Sequence, residues 1–239
     1  LLIGPSGNGK TMILRCFATR TARRESPDEP VSSISTLRLN APEGPDLVAL
    51  YRGIIEAAGE VVPQSTPRRQ LQERVYGLLR DIGLRLLVID DLHNALHGPR
   101  SAVGRFTTRL RLIGDELGIS LVCAGTREAA YALRTEDQLF NRFPVFALPR
   151  WQLDDPDYLL LLNSFSRVLP LRKPSHLADP LLATRILALA EHLIGEIAEI
   201  LRCCATRAIR DGRELIDMAV LESIDYQPLS KRRDLSGLD

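Results

Sequence analysis

The sequence is sparing in the features that mark specialised protein classes. It has no stretch of about 18 uncharged apolar residues, so no membrane span is expected. Its formal net charge is only +1. Bulk charge therefore makes no case for nucleic acid, although arginine greatly outnumbers lysine and local basic clusters exist. The four cysteines, Cys16, Cys123, Cys203 and Cys204, show no C-x-x-C spacing. Each falls in an apolar-periodic segment, which predicts buried free thiols in a reducing cytosol rather than a metal site. The four histidines, His93, His97, His176 and His192, form no ligand pattern. There is no initiator Met: the chain opens at Leu1-Leu2-Ile3, already inside an apolar strand, and is expected to be a fragment lacking its N-terminal part, so no targeting segment can be judged. Internal repeats and low-complexity tracts are also absent.

What remains is ordinary globular composition, 45% hydrophobic and 26% charged over 239 residues. That length suits one α/β core plus a smaller appended domain. Leu1-Leu2-Ile3 and the segment from Val31 to Leu39 read as strands, with a helix over residues 10–24 between them. Asp46 is placed to cap a helix reaching about Ala58, with Leu47, Leu50, Tyr51, Ile54 and Ile55 on one face. Thr66-Pro67 opens another helix, with Pro67 at its first position, and Gly83 closes it. Leu84 to Asp91 is a continuous apolar run closed by two acids, the pattern of a central parallel strand covered on both faces. A helix over 101–117, a strand from Ile119 to Ala124 and a short strand from Pro144 to Leu148 complete a series of parallel βαβ units. After Pro149 the pattern turns all-helical, with helices over 155–169, 179–193, 195–211 and 217–224. The polar tail from Gln227, with Lys231-Arg232-Arg233, is expected to be disordered. Met12 and Phe17 are expected in the core, and Trp151 at the junction between core and helical part.

The chemistry is concentrated in Gly4-Pro5-Ser6-Gly7-Asn8-Gly9-Lys10-Thr11. This segment fits G-x-x-x-x-G-K-[ST] in full, after a strand and before a helix. Glycines let backbone N–H groups wrap around phosphate oxygens without a Cβ in the way. The helix at its end adds the positive pole of its dipole. Lys10 supplies a point charge for the β- and γ-phosphates, and the Thr11 hydroxyl is suited to hold magnesium. A chance Gly-rich turn is the alternative. Leu86-Leu87-Val88-Ile89-Asp90-Asp91 supplies the second half, because the C-terminal ends of strands in an open α/β sheet border the ligand crevice. Asp90 is expected on the magnesium and Asp91 on the attacking water; an acid pair ending a strand can instead serve as a helix cap. Together these motifs call for ATP with Mg2+.

These residues resemble the AAA+ ATPases, and more specifically the TniB family of transposition ATPases related to TnsC. The strings carrying the resemblance are Leu2 to Thr11, Leu87 to Leu96, Gly125-Thr126-Arg127, Asn141 to Trp151, Leu169-Pro170-Leu171-Arg172 and Leu193-Ile194-Gly195-Glu196. The resemblance implies a P-loop AAA+ core over residues 1–150 with a central parallel sheet flanked by helices. A small all-helical lid over 151–226 and a flexible tail over 227–239 complete the chain. It implies that Thr126 is the sensor that orients the attacking water. It also implies that Arg142 is a finger completing the nucleotide site of a neighbouring subunit; the competing readings are Arg127 in that role and Arg142 as a solvated loop residue. Two departures stand out. The catalytic acid, usually Glu, is Asp91 and one methylene shorter, so slow hydrolysis is expected. The arginine that often comes soon after the lid glycine is missing from Gly195-Glu196-Ile197-Ala198, and Arg202, one turn on, is a possible substitute.

The resemblance further implies ATP-dependent assembly of a homo-oligomer, a ring or helical filament, on double-stranded DNA without sequence specificity. The partners would be a transposase and, where present, a TniQ-like targeting protein, and the location the cytoplasm. Candidate DNA contacts are Arg68, Arg69, Arg105, Arg109 and Arg111, each of which can equally be a solvated helix face. Two other functions stay open: another initiator- or clamp-loader-like AAA+ ATPase, and a nucleotide-gated scaffold with little hydrolysis.

Overall fold

A computed structural model gives the fold and describes residues 1–22, 34–134 and 143–233. The chain divides into two compact units. One comprises Leu1–Ser6 and Lys10–Leu148; the other comprises Gly7–Gly9 and Pro149–Asp239.

In the first unit, strands β1 (Leu2–Ile3), β2 (Thr36–Asn40), β3 (Leu86–Asp90), β4 (Ser120–Gly125) and β5 (Phe146–Ala147) form a sheet in the order β2-β3-β4-β1-β5. All neighbouring pairs run parallel. Helices α1 (Lys10–Ala22), α2 (Leu47–Ala57), α3 (Arg68–Asp81), α4 (Arg100–Leu117) and α5 (Arg127–Arg134) alternate with the strands, with a 3₁₀ turn at Leu92–Leu96 after β3. Every residue of β3 is buried, as the unbroken apolar run predicts for a strand between two others and covered on both faces. Asp46 caps α2, its carboxylate accepting from the backbone N–H groups of Val48 and Ala49. The apolar face of α2, Leu50, Tyr51, Ile54 and Ile55, is fully buried. Full burial of such side chains is worth about 1.5–3 kcal/mol each. Gly83, at φ +64°, lies just past the end of α3 in the left-handed conformation that glycine adopts without a Cβ penalty.

In the second unit, helices α6 (Pro156–Val168), α7 (Pro180–Leu189), α8 (Ile194–Arg210), α9 (Met218–Ser223) and α10 (Leu229–Arg233) enclose a separate core. Its centre is Tyr158, Leu162, Ile186, Ile197, Ile200 and Leu201. Asp155, Asp179 and Asp217 cap α6, α7 and α9 through their carboxylates. Trp151, expected at the junction, packs against this core with its ring 6.3 Å from that of Tyr158.

Four sequence expectations are corrected. Met12 and Phe17 are not core: they are 59% and 43% exposed, and Cys16 between them is exposed too. The apolar residues of α1 do not share one stripe, and among its described apolar side chains only Leu14 is buried, joining Leu86, Val88 and Ala124. Cys203 is only partly buried, whereas Cys123 and Cys204 lie inside as predicted. Pro67 sits one place earlier than predicted, as the extended N-cap of α3. Finally, residues 229–233 of the expected disordered tail are helical.

Candidate nucleotide site

The phosphate loop leaves β1 and is fixed at its start by the Gly4 N–H, which donates to the carbonyl of Gly125 at the end of β4 (3.2 Å). Gly7 and Gly9 take φ of +74° and +84°, a backbone shape that side-chain-bearing residues rarely adopt. Lys10, 6% exposed, curls back under the loop, its Nζ donating to the carbonyls of Gly4 (2.9 Å) and Pro5 (2.8 Å). An ammonium has three donors, so two brace the loop and one is left for a phosphate oxygen. Burial pushes the Lys10 pKa down, and the negative charges of Asp91 and then Asp90 oppose that shift. Thr11, half-buried, is the next residue of α1.

Asp90 ends β3 and is 1% exposed. Its Oδ1 accepts the Asp91 N–H (3.0 Å) and its Oδ2 lies 3.3 Å from the Arg38 guanidinium. Arg38 comes from β2, and the register that pairs Asn40 with Asp90 brings it alongside. A buried carboxylate must be paired, and a single partly exposed arginine leaves lone pairs to spare. Asp91 adopts the left-handed conformation (φ 52°, ψ 39°) and its side chain makes no capping bond to the adjoining 3₁₀ turn. The helix-cap alternative for Asp91 therefore does not apply. A non-glycine residue in this region costs on the order of 1–3 kcal/mol, and such strain gathers at functional sites.

Thr126 directly succeeds Gly125 of β4, and its carbonyl accepts the Ala129 N–H in the first turn of α5 (3.1 Å). A hydrogen bond from Thr126 holds the Glu128 carboxyl below the usual range. There is no room for a Cβ at Gly125, which would come within 2.9 Å of Ala129 Cβ and 3.5 Å of the His93 nitrogen. The ends of β1, β3 and β4 thus gather Lys10, Asp90, Asp91 and Thr126 in one unit. The donor set fits a magnesium nucleotide. Among the described residues no group of three or more His, Cys, Asp or Glu side chains could hold a metal. A cation held by Thr11 and Asp90 would take its remaining oxygens from phosphates and water, as Mg2+ does.

Arg142 lies outside the described residues. Arg127 is exposed at the start of α5. Arg202, on α8, is engaged by Glu199 (2.8 Å from Nε). Arg38 is a neighbour that sequence spacing does not reveal, brought to Asp90 by strand register. Glu128 and His93, whose Nδ1 is buried without a partner, lie two residues from Thr126 and Asp91, and the motif reading passes over them.

The five arginines proposed for DNA separate by their surroundings. Arg69 is held by Glu73 (3.0 Å) and Arg111 by Asp115 (3.3 Å). The charge of Arg109 opposes the upward push that burial gives the Tyr51 and Tyr76 hydroxyls. Arg68 and Arg105 line a cleft of about 400 Å3 with Glu43 and Asp46. Neither carries a salt bridge among the described residues.

The sequence profile of the bacterial TniB protein matches residues 1–153. The chain belongs to the TniB family. No curated protein matches it. Among solved structures, this TniB chain is similar to the Aeropyrum pernix ORC1 protein in complex with DNA. The TM-score there is 0.70 and the identity 20%, over 93% of this chain and 57% of that one. It is similar also to Cdc6p from Pyrobaculum aerophilum (TM-score 0.66, 20% identity, 90% and 56%). A third is Drosophila ORC bound to DNA (TM-score 0.53, 13% identity, 93% and 57%). The TniB chain thus spans less than three fifths of these proteins, and at such identity the likeness establishes the fold: a P-loop AAA+ core with a central parallel sheet, then a small helical lid. No helix among the described residues is long and apolar enough to cross a membrane.

Proposed function

We propose that this TniB-family chain is an ATPase that uses bound ATP to assemble on double-stranded DNA in transposition. The observation that carries this is the gathering of Lys10, Asp90, Asp91 and Thr126 at the ends of adjacent parallel strands, beside a full phosphate loop. In this reading the loop amides and Lys10 hold the β- and γ-phosphates. Thr11 and Asp90 would hold magnesium, which would supply positive charge to the phosphates. Thr126 orients a water in line with the γ-phosphorus and Asp91 accepts its proton as the new P–O bond forms and the bond to the β–γ bridging oxygen breaks, giving ADP and phosphate. Arg142 of a neighbouring copy stabilises the transferring phosphoryl, so turnover depends on assembly. The domain division at residue 150, the oligomer as ring or filament, the transposase and TniQ-like partners and the cytoplasmic location belong to the same proposal. Support for DNA comes from the fold shared with an ORC1 protein in complex with DNA.

The departure at Asp91 favours a second reading, a nucleotide-gated scaffold that binds ATP and turns it over very slowly. A gel-shift assay on the full-length protein tests the first part of the proposal. It should retard duplex DNA of any sequence with ATP and magnesium and leave it unbound without nucleotide. Equal retardation in both conditions contradicts it.

A further inference from the structure

The tip of the phosphate loop, Gly7–Gly9, belongs to the C-terminal unit. The first turn of α8 rests on it. The Gly195 N–H donates to the carbonyl of Gly7 at 2.8 Å, and a Cβ at Gly195 would lie 2.8 Å from that same oxygen. A Cβ at Gly9 would lie 3.3 Å from Ile194 Cγ2. Asn8, 3% exposed, donates from Nδ2 to the Pro149 carbonyl at 2.8 Å. These contacts put the Ile194-Gly195 step directly against the loop tip.

That step is held on both sides by the C-terminal helix α10. On one side, Glu191 and His192 are consecutive residues in the left-handed region (φ 48° and 66°). Arg150 bonds to the Glu191 carbonyl (2.9 Å), the His192 ring to the Trp151 carbonyl (2.7 Å), and the Ser230 N–H of α10 to Glu191 Oε1 (2.8 Å). On the other side, Glu196 accepts from the Tyr226 hydroxyl and from the Arg232 guanidinium. Arg232 also stands over the Tyr226 ring, 5.6 Å from its centroid. Nothing in the proposed ATPase chemistry uses these groups. Two strained residues and a carboxylate–phenol–guanidinium cluster bracket the two residues that touch the loop, and a helix of only five residues ties them down.

We propose that the helix Leu229–Arg233 is a strap coupled to nucleotide occupancy of the phosphate loop. A triphosphate draws the loop amides inward, and the shift passes through Gly7 and Gly195 to Glu196. Binding and docking therefore reinforce each other, and the coupling is reciprocal: loosening the strap weakens the nucleotide by the factor that the nucleotide tightens the strap. The inference rests on the proposal that this loop binds a triphosphate.

The test is hydrogen exchange on the full-length protein, with and without magnesium and a slowly hydrolysed ATP analogue, beside a direct measurement of analogue binding. Amides 227–233 should gain protection with the analogue. Arg232→Gln and Tyr226→Phe, which alter side chains at the periphery of the unit, should abolish that gain, and Arg232→Gln should weaken binding by about fivefold or more. Analogue binding with unchanged exchange at 227–233, or native affinity in Arg232→Gln, overturns the strap alone. Failure of the native protein to bind the analogue overturns the strap together with the nucleotide reading.

Discussion

Removing Arg38 should destabilise the protein more than neutralising Asp90, although the two form one pair. Asp90 is 1% exposed and its Oδ2 lies 3.3 Å from Arg38 Nη1. At an effective dielectric constant of 20, the attraction across 3.3 Å is about 5 kcal/mol. Desolvation of the carboxylate cancels much of it. Truncating one partner of a buried pair costs about 3–5 kcal/mol, and the Arg38 side chain is 25% exposed. Water therefore screens part of the charge left behind, and about 2 kcal/mol is expected for Arg38→Ala. Asp90→Asn leaves no stranded charge and keeps an acceptor for the Asp91 N–H, so it should cost less than about 1 kcal/mol. For a chain of 239 residues, 1 kcal/mol moves the Tm by about 2–4 °C, so Arg38→Ala should melt about 4–8 °C lower. In the double variant the loss should be smaller than that of Arg38→Ala alone. Magnesium-dependent nucleotide affinity should show the opposite ranking, because Asp90→Asn removes the proposed metal ligand and Arg38→Ala does not. Urea unfolding and nucleotide titration of the three variants decide it. Arg38→Ala melting at the native temperature would refute the electrostatic reasoning at this site.

Three further outcomes are expected. Asp91→Glu, restoring the longer acid, should raise DNA-stimulated phosphate release at least several-fold; no gain over an already robust native rate removes the slow-hydrolysis reading. Under native conditions a thiol reagent should modify Cys16 first, since it is exposed, and should spare Cys123 and Cys204, whose thiols burial pushes up to about 12. Mass spectrometry locates the adducts, and early labelling of Cys123 would contradict the packing. Arg68→Ala and Arg105→Ala should each weaken DNA binding across all sequences and lower the salt slope by about 1, while Arg69→Ala, whose guanidinium is held by Glu73, should change it little.

Elements with a strong local signal were legible in the sequence. The alternation of apolar runs and periodic helices gives the parallel α/β core. The Asp46 cap and the Gly83 stop place helix ends to within a residue or two, because capping is local chemistry. The phosphate loop and the acids after Ile89 stand out for the same reason. The features that stayed hidden depend on register between distant segments. Arg38 meets Asp90 across 52 positions because β2 and β3 align Asn40 with Asp90. Met12 and Phe17 look like core by residue type, yet a helix buries only the face turned to the sheet, and that face carries Leu14. The tail reads as polar and unstructured, but Arg232 finds Glu196, 36 residues away, and local composition says nothing of such a partner.

ATP held at this loop is proposed to drive assembly on DNA, and sedimentation of the full-length protein with a long duplex measures that directly. The conditions are ATP, ADP and no nucleotide, in parallel with Lys10→Ala. Large protein–DNA assemblies are expected with ATP alone, and none in any condition for Lys10→Ala. Assemblies of equal size for Lys10→Ala, or for the native protein without nucleotide, would contradict it.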